Sequence, residues 1–250
     1  MFYFYLKFLK KVQRTTLNMS KINVSVDCVV FGFDDEARKL KVLLIEKKVN
    51  PYLSSDEKMQ TALPGDLIRT EEDIDESARR VLNSLTNLSD IYLRQFKTFG
   101  DPKRVQSSKD QEWLNNFRKE PNERVITIGY VSLVRMEDYS PVASYFADKV
   151  IWADINDIPF LAFDHNQIVN DAFDFLKSEI DQELTSELLP KKFTLSQLQE
   201  LYEIVLNQKL DKRNFRKKMI SKGQLEETDE KQTGVSHKPA KLYTFKKYDS

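Results

Sequence analysis

The sequence of 250 residues is poor in the residues that build disulfides and soft metal sites. It contains one cysteine and two histidines, so an intrachain disulfide is impossible and no zinc-type spacing occurs. The cysteine, Cys28, lies in the apolar run "DCVVFGF", and we expect a buried thiol rather than a nucleophile. This composition favours a reducing cytoplasm, and we expect no resident metal or other cofactor.

Long hydrophobic runs are also absent. The first segment, "MFYFYLKFLKKVQRTTLNMSK", is too short and too interrupted by lysine to span a bilayer. Its positive charges follow the apolar stretch, and no small-residue cleavage site is present. We expect residues 1–20 to be a disordered or mis-assigned tail, with Met19 as an alternative start, and we expect no membrane partner. Glycine-rich phosphate loops and Ser–His–Asp sets are missing as well.

Charge divides the chain into two parts. The totals balance at 39 basic and 39 acidic residues, yet residues 190–250 carry 14 Lys and Arg against 8 Asp and Glu. An acidic body with a basic end indicates two modules with different partners. We therefore predict one domain over residues 21–187 and a second over residues 188–250.

The first domain alternates strand and helix patterns. "INVSVDCVVFGFD" and "KVLLIEKK" predict a β-hairpin, and "IYLRQFKTFG", "RVITIGYVSLV" and "KVIWADI" predict further strands. Apolar residues recur at helical spacing between Asp73 and Leu85, preceded by a capping-box pattern at Thr70 and Asp73. "NQIVNDAFDFLKSEI" predicts a closing amphipathic helix. This order is typical of a layered α/β domain with a mixed sheet.

The second domain follows the order of a winged helix-turn-helix. "TLSQLQELYEIVLN" predicts a helix capped by Thr194, and "DKRNFRKKMISKG" predicts one capped by Asp211 and closed by Gly223. Two strands, "QLEET" and "AKLYTFKK", then flank a polar loop. Helix, turn, basic helix and hairpin in this order indicate a DNA-binding module.

The second of these helices carries the strongest local signal. An alternative interpretation is that its charged residues form an ordinary solvated surface, but the neighbouring helix and hairpin favour contact with DNA. Phe215, Met219 and Ile220 are expected to pack on the small core. The candidate DNA-binding residues are Lys212, Arg213, Asn214, Arg216, Lys217 and Lys218 in the helix, with His237 and Lys238 in the wing.

One segment, Asp66 to Leu88, resembles a decayed Nudix box. Glu72 and Arg80 match the first glutamate and the arginine of that motif, whereas Asp66 replaces its first glycine. The three later glutamates fall on Val81, Ser84 and Leu85. Hydrolysis of a nucleoside diphosphate linkage by this family requires carboxylates that hold Mg²⁺. We therefore expect no catalytic residues, and a Mg²⁺-dependent Nudix hydrolase of ADP-ribose or a related compound is the alternative.

The resemblance extends over most of the chain from about residue 22. "TFGDPKR", "LAFDHNQIV", "FTLSQLQELYE" and "DKRNFRKK" are similar to segments of the Nudix-related transcriptional regulators. That family implies an α/β/α Nudix-like sandwich followed by a winged helix, acting as a homodimer on operator DNA. Its NrtR branch responds to ADP-ribose and its AraR branch to L-arabinose. The form of the box is more similar to the AraR type, so both kinds of effector remain open.

Four residues are candidates for the effector site: Asp66, Glu72, Arg80 and His165. Arg80 is expected either to pair with Glu72 or to face the effector. His165 is expected to be either a structural hydrogen-bond partner at a helix start or a ligand contact. An insertion relative to the family, "VQSSKDQEWLNNFRKE", places Trp113 and Phe117 in a lid or in a dimer contact.

Overall fold

The computed structural model describes residues 21–34, 36–49, 59–143, 147–178, 188–234 and 238–246. The strands are β1 (Ile22–Asp34), β2 (Lys39–Lys48), β3 (Met59–Ala62), β4 (Gly65–Leu67), β5 (Arg94–Phe99), β6 (Arg124–Arg135), β7 (Lys149–Asp154), β8 (Phe193–Thr194), β9 (Leu225–Lys231) and β10 (Lys241–Phe245). The helices are α1 (Ile74–Thr86), α2 (Ser108–Phe117), α3 (His165–Ser178), α4 (Leu195–Leu206) and α5 (Lys212–Ser221). In this part of the chain, no helix has the length and apolar character needed to cross a bilayer.

The first seven strands form one mixed sheet around β1. This strand runs parallel to β6 and antiparallel to β2 and β4. Its side chains alternate between two cores, because successive residues of a strand point to opposite faces. Val29 and Phe31 enter one core, whereas Cys28 and Val30 enter the other. The predicted β1–β2 hairpin is confirmed, and the buried strand accounts for the inaccessible Cys28 thiol.

Helices cover both faces of this sheet. Helix α1 packs Ala78, Val81, Leu82 and Leu85 on the core that contains Cys28, and α3 packs on the opposite core. The expected α/β/α arrangement with a mixed sheet is confirmed. Two details of α1 differ from expectation: its N-cap is Asp73, which forms a capping box with Glu76 rather than with Thr70, and Ile74 is 41% exposed.

The C-terminal module is a winged helix. Strands β8, β10 and β9 form an antiparallel sheet beside α4 and α5, around a small core that includes Phe193, Leu198 and Phe215. Thr194 and Asp211 cap their helices as predicted. The expectation for Ile220 is wrong: it is 57% exposed, because it lies on the face of α5 opposite Phe215 and Met219.

Helix α4 belongs to both modules. Its Leu198 lies in the winged-helix core, whereas Leu201 and Val205 are buried with α3 in the first domain's core. Arg38, beyond the end of β1, also pairs with Glu200 at 2.9 Å. The predicted boundary near residue 187 and the predicted tail, residues 1–20, lie outside the described residues.

Candidate functional site

A cavity of about 370 Å³ opens between the first strands, α2 and the start of α3. Strand β1 contributes Ser25 and Asp27, and strand β4 contributes Gly65 and Asp66. Gly65 is required there because a β-carbon would collide with the Asp27 carboxylate. The sequence "LPG" therefore shapes the wall of the cavity by letting the backbone approach β1 closely.

A buried ion network forms the floor of the cavity. The guanidinium of Arg104 donates to Asp164 at 2.7 and 2.9 Å and approaches Asp27 at 3.4 Å. Burial alone lowers the pKa of Arg104, but hydrogen bonds to Asp164 and the charge of Asp27 outweigh it and raise the pKa. Arg104 is thus a charged group, paired with two carboxylates, that ties β1 to the residue preceding α3.

His165 lies beside this network as the first residue of α3. Its Nδ1 accepts a hydrogen bond from the backbone N–H of Leu63 at 3.0 Å, so the proton of the neutral ring is on Nε2, which lies 3.6 Å from Asp27. Burial lowers the pKa of His165 further than the nearby carboxylates raise it. His165 therefore both supports the β3–β4 turn and lines the cavity.

Aromatic side chains form the opposite wall. The predicted insertion contains α2, whose Trp113 stacks on Phe163 with 5.2 Å between ring centroids and 22° between planes. Asp110 anchors this helix by accepting from Gln60 and from the Phe163 backbone N–H, each at 3.0 Å. Trp113 is only 7% exposed. Its burial favours a wall of the cavity over a dimer contact.

Arg80 and Glu72 bind each other. Arg80 Nε donates to Glu72 at 2.5 Å, and its other nitrogens contact the Leu67 carbonyl at 3.0 Å and Asp66 at 3.4 Å. Hydrogen bonding from Arg80 lowers the pKa of Glu72 to about 2. Of the four candidate effector residues, Asp66 and His165 line the cavity, whereas Glu72 and Arg80 are not among its lining residues. The geometry favours the structural alternative for Arg80.

The positions of the missing box glutamates cannot hold Mg²⁺. Val81 is fully buried, Leu85 is 4% exposed, and the Ser84 hydroxyl donates to the Val81 carbonyl at 3.2 Å. Two of the three side chains thus belong to the core and none offers a carboxylate, which hard cations need. Across the described ranges, no group of three or more His, Cys, Asp and Glu residues is arranged to hold a metal.

Helix α5 presents a basic face to solvent. Phe215 and Met219 anchor it in the winged-helix core, and the Asp211 side chain accepts from the Asn214 backbone N–H at 2.8 Å. The predicted DNA-binding residues of the helix are all exposed: Lys212, Arg213, Asn214, Arg216, Lys217 and Lys218. Lys238 is exposed in the wing, and His237 lies outside the described residues.

The wing strand β9 is acidic, which sequence reasoning did not weigh. Glu227 pairs with Lys241, and Glu230 pairs with Lys192 at 2.6 Å. These pairs neutralise part of the strand, so the basic face is concentrated on α5. Contact with a polyanion is therefore expected through the helix rather than through the strands of the wing.

Several cavity residues were missed in the sequence. Asp27 was detectable as a lone carboxylate inside an apolar strand, and Arg104 ends the quoted segment "TFGDPKR". No sequence signal placed Trp113, Arg118 and Phe163 on one cavity, because they meet only through the packing of α2 against the turn before α3.

Comparison with known proteins supports both modules. The family model described as the NrtR DNA-binding winged helix domain matches residues 185–245. The chain is 30% identical over 227 residues to the ADPR responsive transcriptional repressor NtrR of Acinetobacter baylyi, spanning 89% of this chain and 81% of that relative.

Solved structures agree in fold. The Shewanella oneidensis NrtR complexed with a 27mer DNA has a TM-score of 0.62 and 25% identity, covering 89% of this chain and 93% of that chain. A MutT/nudix family protein from Enterococcus faecalis has a TM-score of 0.69 and 23% identity, covering 96% of this chain and 93% of that chain.

Proposed function

Because the chain belongs to the NrtR family of Nudix-related transcriptional regulators, we propose that it binds operator DNA through α5 and releases it when an ADP-ribose-type metabolite occupies the cavity. The observation that carries the proposal is the exposed basic face of α5, held in place by Phe215 and Met219. Short basic helices of this kind insert into the major groove, and their charges supply the sequence-independent part of the affinity.

ADP-ribose is the proposed effector because the Acinetobacter relative is described as ADPR responsive and because the cavity offers aromatic rings beside cationic side chains. A neutral sugar such as L-arabinose would leave Arg118, which has no carboxylate partner in the described part of the chain, without a counter-charge. The form of the box predicted an AraR-type preference for L-arabinose, and the comparisons give this preference no support. L-arabinose is included as a second ligand in the test.

We propose that the regulator acts as a homodimer. A two-fold symmetric pair of winged helices matches a palindromic operator, since each recognition helix then meets an equivalent half-site. An effector that prefers the non-binding arrangement of the two winged helices by a few kcal/mol is sufficient to release DNA.

The test is a fluorescence-polarisation titration of the full chain with duplex DNA from its own upstream region. We expect binding that weakens when ADP-ribose is added and that is unchanged by L-arabinose. Release by L-arabinose alone would reverse the assignment of the effector, and failure to bind any upstream duplex would refute the regulator.

A companion prediction concerns catalysis. We expect no appreciable hydrolysis of ADP-ribose or NADH in the presence of Mg²⁺, because Val81, Ser84 and Leu85 offer no carboxylate ligand. The assay couples a phosphatase to the reaction and measures released phosphate. Turnover on the order of 1 s⁻¹, ordinary for an enzyme, would establish the Nudix hydrolase instead.

A further inference from the structure

The cationic groups around the cavity are not equivalent. Arg104 is paired with Asp164 and Asp27, and Lys21 pairs with Glu123 at 3.0 Å. The guanidinium of Arg118 also lines the cavity and is half-buried. Within the part of the chain that the structure describes, it makes no side-chain hydrogen bond and no ion pair. Lys119 lines the cavity as well but is exposed. Arg118 is therefore the half-buried cation of this cavity with unused donors.

Helix α2 holds Arg118 in this position. The Arg118 backbone N–H donates to the Leu114 carbonyl at 2.7 Å and closes the helix, and Leu114 is itself buried. Asp110 fixes the other end of α2 to β3 and to Phe163. The guanidinium thus stands on an anchored element, on the same side of the cavity as the stacked pair of Trp113 and Phe163.

We propose that Arg118 is the anion receptor of the cavity and that it gives the regulator its preference for a phosphate-bearing effector over a neutral sugar. This inference rests on the proposed function. It assigns the effector specificity of the regulator to the inserted helix rather than to the decayed Nudix box. A guanidinium presents paired N–H donors that match two phosphate oxygens, and such charge-assisted bonds are stronger than bonds to sugar hydroxyls.

The electrostatic setting supports this role. Burial lowers the pKa of Arg118, and the charge of Arg104 lowers it further, while Asp27 and Asp66 oppose the shift without touching the group. An arginine cannot escape this cost by losing its proton at physiological pH. A bound phosphate offsets it directly, because it supplies the missing counter-charge at the place where water is partly excluded.

The experiment uses the full-length chain and three probes: ADP-ribose, inorganic pyrophosphate and L-arabinose, each measured by calorimetry. We expect Arg118→Gln to weaken ADP-ribose and pyrophosphate roughly 10- to 100-fold, as for the loss of hydrogen bonds to a charged group. Arg118→Lys should recover only part of the affinity, because it keeps the charge and loses the paired donors. Arg79→Gln is the matched control, because it removes the same charge from an exposed position on α1 that is away from the cavity.

The outcomes separate this inference from the proposed function. Equal binding of ADP-ribose by wild type and Arg118→Gln overturns the proposed role of Arg118 as the anion receptor. It does not affect the proposal that the regulator responds to ADP-ribose. Pyrophosphate binding that depends on Arg118, without any ADP-ribose response, supports the receptor and refutes that effector. Binding of L-arabinose alone overturns both. A lowered melting temperature of Arg118→Gln without ligand, with no specific loss of the phosphate probes, would assign Arg118 to structure and also overturn the receptor.

Discussion

At the scale of single residues, the cavity is built from charges that the fold has already paired, with few left over. Arg104 is paired with Asp164 and Asp27, burial lowers the pKa of His165 while its Nδ1 accepts from the Leu63 N–H, and outside the cavity Arg80 is bound to Glu72. Paired groups of this kind fix the shape of a site, because removing one partner leaves the other buried without compensation. Recognition of a ligand then depends on the groups with unused donors.

Arg80 provides a direct test of this distinction. Arg80→Ala should lower the melting temperature by a few degrees and leave ADP-ribose affinity within about twofold, because the side chain bridges Glu72 and the Leu67 carbonyl outside the cavity. Thermal unfolding and calorimetry measure the two effects. Arg69→Ala, which removes an exposed arginine whose nitrogen lies 3.8 Å from the same glutamate, is the control. A loss of effector affinity with unchanged stability would show instead that Arg80 contacts the ligand.

His165 should make stability depend on pH. Its folded pKa is lowered from 6.5 by burial, so the unfolded chain binds more protons than the folded one below that value. The stabilisation is fully present above about pH 6.5 and is lost as the pH falls through the folded pKa.

Urea unfolding of wild type at pH 7.5 and at pH 5.5 tests this sign. His165→Gln should reduce the difference in the free energy of unfolding between the two pH values. His237→Gln, which removes the other histidine of the sequence, is the control and should leave it unchanged. A wild-type chain that is more stable at pH 5.5 would contradict the assignment of a neutral buried ring.

At the scale of elements, helices α1 and α5 divide their faces differently between core and solvent. Helix α1 has a capping box and a buried face, and two of the positions that correspond to box glutamates, Val81 and Leu85, lie in the core. Helix α5 buries two residues and exposes its cations. The same amphipathic principle thus serves packing in α1 and recognition in α5.

The two ends of the α5 face should differ in what they recognise. We expect Lys218→Ala to weaken all duplexes alike and to lower the salt slope by about one unit, as for one phosphate contact. Arg213→Ala should cost roughly 1–3 kcal/mol and relax specificity at one base pair, because the start of a recognition helix meets base edges.

Polarisation titrations with operator and scrambled duplexes at two salt concentrations measure both effects. Glu226→Gln on the acidic wing strand is the control and should leave the salt slope unchanged or slightly steeper. Identical behaviour of the two basic variants would show that α5 makes only phosphate contacts.

At the scale of the whole molecule, α3 and α4 connect the cavity with the DNA-binding face. Helix α3 begins at His165 in the cavity, and its apolar face shares a core with Leu201 and Val205 of α4. The other face of α4 packs in the winged-helix core through Leu198. We therefore expect a displacement of α3 by the effector to be transmitted through α4 to α5 across this packed interface.

Val205→Ala should weaken this coupling. The loss of two buried methyl groups costs about 2 kcal/mol of stability and loosens α3 against α4. The factor by which ADP-ribose raises the Kd for DNA should fall, while each affinity measured alone stays close to wild type.

The control is Val134→Ala, which makes the same cavity in the core on the opposite face of the sheet. It should lower stability similarly and keep the coupling factor. Equal loss of coupling in both variants would attribute the effect to general destabilisation.

The sequence by itself determined the elements and the modules, because these depend on local patterns. The apolar and β-branched run in β1, the helical spacing in α1 and the caps at Thr194 and Asp211 are properties of neighbouring residues. The basic face of α5 was equally readable, since a helix that buries only Phe215 and Met219 must expose the remainder. The expectation for Ile220 was wrong because this position lies about 100° around the helix from Met219 and about 140° from Phe215, beyond the narrow face that α5 buries.

Only the tertiary structure decided which residues share the cavity. Asp27, Arg104, Trp113 and Arg118 are separated by up to 91 positions, and they line one cavity because α2 is anchored to β3 and to the turn before α3. The structure also decided that Arg80 pairs with Glu72 while Arg118 keeps free donors. Pairing between charges distant in sequence depends on three-dimensional packing, which no local pattern encodes.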